Sequence, residues 1–284
     1  MIVLLTGASG FIAKHLALFL HQRGYTVDGV SSKSLSSDLY RRIYTGTLGN
    51  ALPLFSDTYD LIIHCAYDHT ASAESNVQAT VLWAESLLQQ GNTRQMFLST
   101  IGVVSGNTSM YARSKADTEK WFQAHQMHII RPGLVVGNGG LFEKIIKKVR
   151  YFPILPLING GKQKIKLIGI MDLLTFIEKI MIDGQNFPPQ EYNLFYTSET
   201  SLSELLRQLA EFYKRTIIFI SIPFGLVYGL VWMIEKLHLN LGISTVNLLG
   251  LKQNNLTMNS DIPYDRTLEE VFQKNLLLKD KITE

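Results

Sequence analysis

A chain of 284 residues with 46% hydrophobic content is long enough to bury a sizeable core and too apolar to be disordered. Its 27 Lys plus Arg against 24 Asp plus Glu leave a net charge of +3, too weak a bias to argue for nucleic acid but compatible with a pocket for a phosphorylated ligand. One cysteine, Cys65, excludes a disulfide framework and a cysteine zinc cluster and fits a reducing cytoplasm, the expected location. Met1 leads straight into the first predicted strand, so no signal peptide is expected.

Ile2 to Leu5 is a short apolar run, Thr6-Gly7-Ala8-Ser9-Gly10 follows, and Phe11, Ile12, Leu16, Phe19 and Leu20 recur with a helical period. Strand, tight turn and helix is the context a glycine-rich phosphate-binding turn requires. Gly7 can take backbone angles closed to other residues, Gly10 lets the main chain approach a pyrophosphate, and the small Ala13 lets helix pack on strand. The phosphates then sit at the helix N-terminus, so a dinucleotide is the expected ligand.

Thr26 to Ser31 reads as a second strand. An acidic residue at its end would hydrogen-bond the adenosine ribose and repel a 2′-phosphate, and Asp28 lies too early for that. Ser31, Ser32 and Lys33 stand there instead, with Arg41 or Arg42 as further cations, which favours NADP over NAD; the alternative is that 31–37 is only a polar loop. Ile43 to Gly46 is a short third strand and Tyr59 to Ala66 a fourth. His64 within it reads as a structural histidine, and no second ligand at useful spacing supports a metal.

Ser72 to Gln90 is predicted as a long amphipathic helix, ended by Gly91. Gln95 to Thr100 is a fifth strand that ends in hydroxyl residues, where open parallel sheets bind their ligands. The next helix, to about Gln126, opens with Tyr111-Ala112-Arg113-Ser114-Lys115. Residues four apart share a helical face, so Lys115 is expected to lower the pKa of Tyr111 toward neutrality, as an acid or base requires. Met127 to Arg131 is a sixth strand, and Arg131 reads as a structural residue. Strands alternating with helices predict an α/β fold, a doubly wound parallel sheet.

After Gly139 the rhythm changes: a basic helix (Leu141 to Tyr151), a proline-containing stretch (Phe152 to Leu157), a short basic strand (Lys162 to Leu167), a helix (Met171 to Met181), a strand (Glu191 to Tyr196) and a helix (Leu202 to Tyr213). Ile217 to Ile234 runs 18 residues without a charge, the length at which a membrane span is considered. Pro223 and Gly225 divide it into a β-branched piece and a helical piece, so a soluble strand and helix are expected, with docking on a membrane surface as the alternative. Asp265 to Asn275 is a final helix.

Thr6-Gly7-x-x-Gly10-Phe11-x-Ala13, the Asp60 to Ala66 strand, Asn76-Val77, Ser99-Thr100, Tyr111-x-x-x-Lys115 and Arg131-Pro132-Gly133, in this order, resemble the extended short-chain dehydrogenase/reductases. The branch that looks most similar contains nucleotide-sugar epimerases, dehydratases and ketoreductases. The resemblance implies a Rossmann-type domain over 1–138, with later segments around 162–200 returning to it, and a smaller substrate lobe over most of 139–284. It implies that Tyr111 exchanges a proton with the reacting oxygen, that Lys115 tunes Tyr111 and holds the nicotinamide ribose, and that Thr100, or Ser99 in its place, bonds the substrate carbonyl. It implies cofactor contacts at Gly7, Ser9, Gly10, Phe11, Ile12, Ser31, Ser32, Lys33, Thr47, Leu48, Cys65, Ala66, Tyr67 and Pro132. A homodimer built from the 72–90 and 111–126 helices is the corresponding expectation for assembly.

The departures from the family pattern are informative. Ile101-Gly102 stands where dehydratases of this branch carry an Asp-Glu pair, and Thr47 where an aspartate often touches adenine. Ile165, between Lys164 and Lys166, stands where an arginine often grips the diphosphate. The reading is an NADP(H)-dependent reductase of a nucleotide-linked keto-deoxysugar. An NAD-dependent epimerase and a non-catalytic dinucleotide-binding scaffold are the alternatives.

Overall fold

The computed structural model describes residues 1–35, 38–104, 109–184, 186–236 and 258–277, so residues 36–37 of the polar loop lie outside it. The first half alternates as the sequence predicts: β1 (Ile2–Thr6), α1 (Phe11–His21), β2 (Thr26–Ser31), β3 (Arg42–Thr45), β4 (Leu61–His64), α2 (Ala73–Gln89), β5 (Gln95–Leu98), α3 (Met110–Ala124) and β6 (His128–Pro132). The second half comprises β7 (Leu134–Val136), α4 (Gly140–Tyr151), β8 (Ile154–Ile158), β9 (Lys164–Ile165), β10 (Leu167–Gly169), α5 (Ile170–Ile182), β11 (Glu191–Leu194), β12 (Thr200–Ser201), α6 (Leu202–Phe212), β13 (Ile218–Ile222), α7 (Phe224–Lys236) and α8 (Leu268–Leu276).

Seven strands form one parallel sheet in the order β11-β6-β5-β4-β1-β2-β3. Val3, Leu4, Leu5, Leu61, Ile62 and Ile63 have no solvent exposure, because both faces of a parallel sheet are covered and its strands are apolar on both sides. The strand order reverses between β1 and β4, and the carboxyl ends of β1, β4 and β5 open toward the same edge. That crevice is where doubly wound sheets hold ligands.

Two elements differ from expectation for identifiable reasons. The basic stretch 162–167 is not one strand: β9 pairs antiparallel with β12, whereas β10 pairs parallel with β7. The proline-containing stretch 152–157, given no strand on sequence, carries β8, which among the described residues pairs only with β13 and so accommodates Pro156 as an edge strand does. β11 adds to the main sheet beside β6.

A buried carboxylate ties the C-terminal helix to α5. Asp172 on α5 accepts hydrogen bonds from Arg266 Nε at 2.6 Å, Lys274 Nζ at 2.5 Å and the Tyr196 hydroxyl. Burial opposes its ionisation, but these donors outweigh it and hold the carboxyl below its usual range. α8 is thereby clamped to the sheet domain, and Asn275 adds a bond to Met171 N at 2.9 Å.

A carboxyl whose pKa is depressed on folding stabilises at neutral pH, and that contribution is lost as pH falls through its folded pKa. Asp172→Asn is expected to lower stability by about 2–3 kcal/mol at pH 7, after allowance for the partial exposure of Arg266 and Lys274. Urea unfolding of both proteins should show the difference shrinking below pH 4.

Candidate active site

The turn after β1 is built as the glycine pattern predicts. Gly7 has φ +67°, and a side chain there would put its Cβ 2.7 Å from Ala66 Cα on the neighbouring strand exit. Gly10 N donates to Gly7 O at 2.8 Å, and α1 starts at Phe11 with no acidic residue in its first turn. The helix N-terminus therefore offers backbone N–H groups and a positive dipole end to an anion. Phe11 is accommodated by the glycines of 137–140, since a Cβ on Gly139 would lie 2.2 Å from its ring.

From this turn a cleft of about 1420 Å³ runs along the carboxyl edge of the sheet. That exceeds the roughly 300–1,000 Å³ of an ordinary small-molecule site, so two ligands fit end to end. Ser9, Gly10, Phe11 and Ile12 line it at one end, with Ser32, Lys33, Thr47 and Leu48 beside them. Cys65, Tyr67, Leu98, Ser99, Thr100, Tyr111, Lys115 and Pro132 line its middle. Most of the residues chosen from the sequence thus converge on one cavity. Gly7, Ser31 and Ala66 support its wall instead: Ser31 is buried and its Oγ accepts from Lys33 N at 3.0 Å, and Ala66 N donates to Thr6 Oγ1 at 3.3 Å.

Lys115 is buried, its ammonium donating to Leu98 O at 2.8 Å and lying 5.9 Å from the centre of the Tyr111 ring. Burial lowers its pKa to about 8, against the raising influence of Cys65 and Glu119. Tyr111 sits at the rim, 39% exposed, its ring edge-on to Tyr67 at 4.9 Å. Desolvation, with Tyr67 adding to it, pushes the phenol up to about 12. The expectation that Lys115 drags this phenol toward neutrality is therefore corrected. Here the lysine charge is directed at a backbone carbonyl, desolvation dominates both groups, and the phenol keeps its proton. Burial likewise pushes the Cys65 thiol up to about 12, leaving it neutral and unreactive.

Ser99 and Thr100 separate cleanly. The Ser99 hydroxyl donates to the buried Glu119 carboxylate, so it is a structural group and not a second catalytic hydroxyl. Thr100 Oγ1 accepts from Gly102 N at 3.2 Å, and its own O–H is left to donate into the cleft. Arg131 has the structural role expected of it, its Nε donating to Glu119 Oε1 at 2.9 Å. His64 bonds Gln95 Oε1 at 2.7 Å, and burial lowers it to about 4, as a core histidine.

Arg41 and Arg42 are corrected as candidates for a 2′-phosphate. Arg41 donates to buried Asp28 at 3.0 and 2.7 Å and to Asp57, and Arg42 pairs with Asp57 at 2.7 Å. Lys33 is the cation left on that side of the cleft wall.

Several lining residues had no strong sequence signal. Asp68, His69 and Thr70 belong to the loop after β4, which Asn76 holds by accepting from Asp68 N and donating to Asp68 O, both at 2.9 Å. Their place follows from a side chain eight residues away, which no local pattern announces. Lys164, Ile165 and Lys166 line the far end, where Lys164 pairs with Glu199 at 2.9 Å and Lys166 Nζ lies 4.8 Å from the Phe195 ring centre.

The NAD dependent epimerase/dehydratase family model matches residues 3–194. Among solved structures, MoeE5 in complex with UDP-glucose and NAD is 19% identical, with 78% of this chain and 85% of that chain covered and a TM-score of 0.67. UDP-glucose 4-epimerase with UDP-glucose from the hyperthermophilic eubacterium Thermotoga maritima is 17% identical over 78% and 86%, with a TM-score of 0.62. The structure of gox2253 is 15% identical over 92% and 90%, with a TM-score of 0.71. No curated protein matches by sequence. With the family model spanning more than half of its length, from β1 to the last strand of the main sheet, this chain belongs to the NAD-dependent epimerase/dehydratase family of extended short-chain dehydrogenase/reductases.

Proposed function

We propose that the protein reduces a ketone on a nucleotide-linked deoxysugar, with NADPH as reductant and Tyr111 as general acid. The observation that carries this reading is the convergence of Tyr111, Lys115, Thr100 and the glycine turn on one cleft. When bound, the reduced nicotinamide supplies the hydride. Tyr111 gives its proton to the substrate oxygen as charge develops there, and the Thr100 hydroxyl donates to the same oxygen. Lys115 adds a buried positive charge near Tyr111 and would hold the ribose of the bound cofactor. Lys33 beside Ser32, with no carboxylate in the 31–33 stretch, supports the 2′-phosphate of NADP. Lys166 is the cation for the nucleotide diphosphate at the far end. Ile101-Gly102 after Thr100 argues against dehydration, which needs a further acid and base there.

The second reading is an NAD-dependent epimerase, favoured by the family and by the UDP-glucose 4-epimerase among the structural neighbours. α2 and α3, which pack side by side, form the face proposed for a homodimer.

The purified protein is expected to oxidise NADPH when given a keto-deoxysugar nucleotide, read at the nicotinamide absorbance. Tyr111→Phe is expected to lower kcat by roughly 10²–10⁴-fold with cofactor affinity retained. A protein that purifies with tightly held NAD and interconverts two sugars without net absorbance change would replace this reading with epimerisation.

Lys115 acts while charged, and kcat/KM reports the free enzyme, so activity is expected to fall about tenfold per pH unit above pH about 8. The sign for stability is opposite. The unfolded chain holds this proton up to about 10.5, so the charged lysine is a cost to the fold that is relieved as pH rises from 8 toward 10.5. A pH–rate profile flat to pH 9.5 would contradict the role given to Lys115.

A further inference from the structure

Contact with a membrane surface, the alternative on the sequence, returns through β8 and β13. These strands pair in parallel register, Ile154 with Ile218, Pro156 with Ile220 and Ile158 with Ile222. Paired residues of a parallel ladder point to the same side. One face of this two-stranded sheet is therefore isoleucine and proline throughout, while Leu155 and Leu157 fill the core behind it. The face is open: Ile218 is 61% and Ile220 48% exposed, and the exposed Tyr151, Phe152 and Leu226 extend it at its two ends.

The segments that lead into the two strands are one-sided in charge. Because the strands are parallel, the segments entering them lie together, and Arg150, ahead of β8, stacks over Tyr213, ahead of β13, at 5.4 Å. Residues 140–151 and 211–217 carry Lys144, Lys147, Lys148, Arg150, Lys214 and Arg215 against Glu143 and Glu211 alone. Glu143 is paired with Lys147 at 2.7 Å, which leaves Lys144, Lys148, Arg150, Lys214 and Arg215 against Glu211. An apolar face with exposed aromatics and a cationic rim matches an anionic lipid surface, where basic side chains meet headgroups and apolar ones enter the acyl boundary. A second copy would present the same excess of cations; residues 237–257 of this chain contain no acidic residue, and residues 278–284 carry Lys279 and Lys281 against Asp280 and Glu284, so neither segment has the negative excess to complement it. No helix among the described residues is long and apolar enough to cross a membrane, so the mode is docking on the surface.

We propose that the outer face of β8 and β13, with the basic rim from α4 and residues 214–215, docks the protein on an anionic bilayer surface. The wild-type protein is expected to co-sediment with vesicles of phosphatidylcholine mixed with phosphatidylglycerol and not with phosphatidylcholine alone, and to be released by salt. Lys148→Gln with Arg150→Gln is expected to weaken partitioning roughly twentyfold, on the usual contribution of each basic side chain at an anionic surface. Ile218→Ser with Ile220→Ser is expected to abolish it, with circular dichroism and NADPH binding unchanged. Absence of binding to the anionic vesicles, or equal binding to both kinds, overturns the proposal. So does a wild-type dimer in size-exclusion chromatography that the isoleucine substitutions convert to monomer.

Discussion

The site depends on one buried ion pair. Glu119 sits on α3, one turn past Lys115 and two past Tyr111, and its carboxylate takes the Ser99 hydroxyl from the end of β5 and the Arg131 guanidinium from β6. Lys115 makes a second tie to β5 through Leu98 O. α3 cannot rotate or slide without leaving a charge unpaired in the core, and breaking such a pair is far more costly than its formation is favourable. Two adjacent strands and one helix are thus fixed relative to one another, and the phenol at the start of that helix is held over the cleft by rigid elements, as catalytic geometry demands.

The same packing sets the electrostatics. Burial lowers the affinity of Lys115 for its proton, and the rim phenol of Tyr111 is raised above its ordinary value, so neutral pH finds both groups protonated. That is the state a proton donor needs. It also divides labour between the neighbouring hydroxyls: Ser99 belongs to the Glu119 network and Thr100 to the cleft.

Backbone requirements and short-range spacing were legible in the sequence. The turn at Gly7 and Gly10 and the shared helical face of Tyr111 and Lys115 follow from local geometry, and the structure places them on one cleft. Long-range partners were not legible. Arg41 reads as a phosphate ligand until Asp28 on β2 and Asp57 are seen to hold it. The direction of the Tyr111 shift depends on burial and on where a lysine points, neither of which spacing encodes. β8 was hidden by Pro153 before it and Pro156 within it, and its pairing with a segment more than sixty residues later creates an apolar face that neither stretch shows alone.

The account rests on the crook between β1 and α1 being the seat of a dinucleotide pyrophosphate. The most direct measurement is an equilibrium titration of NADPH, followed by energy transfer from the protein tryptophans, for the wild type and for Gly10→Val, which fills the approach to the helix N-terminus. Saturable binding that the substitution weakens by tenfold or more in a folded protein is the predicted result. Binding of equal strength in both proteins would place the cofactor elsewhere and contradict the account.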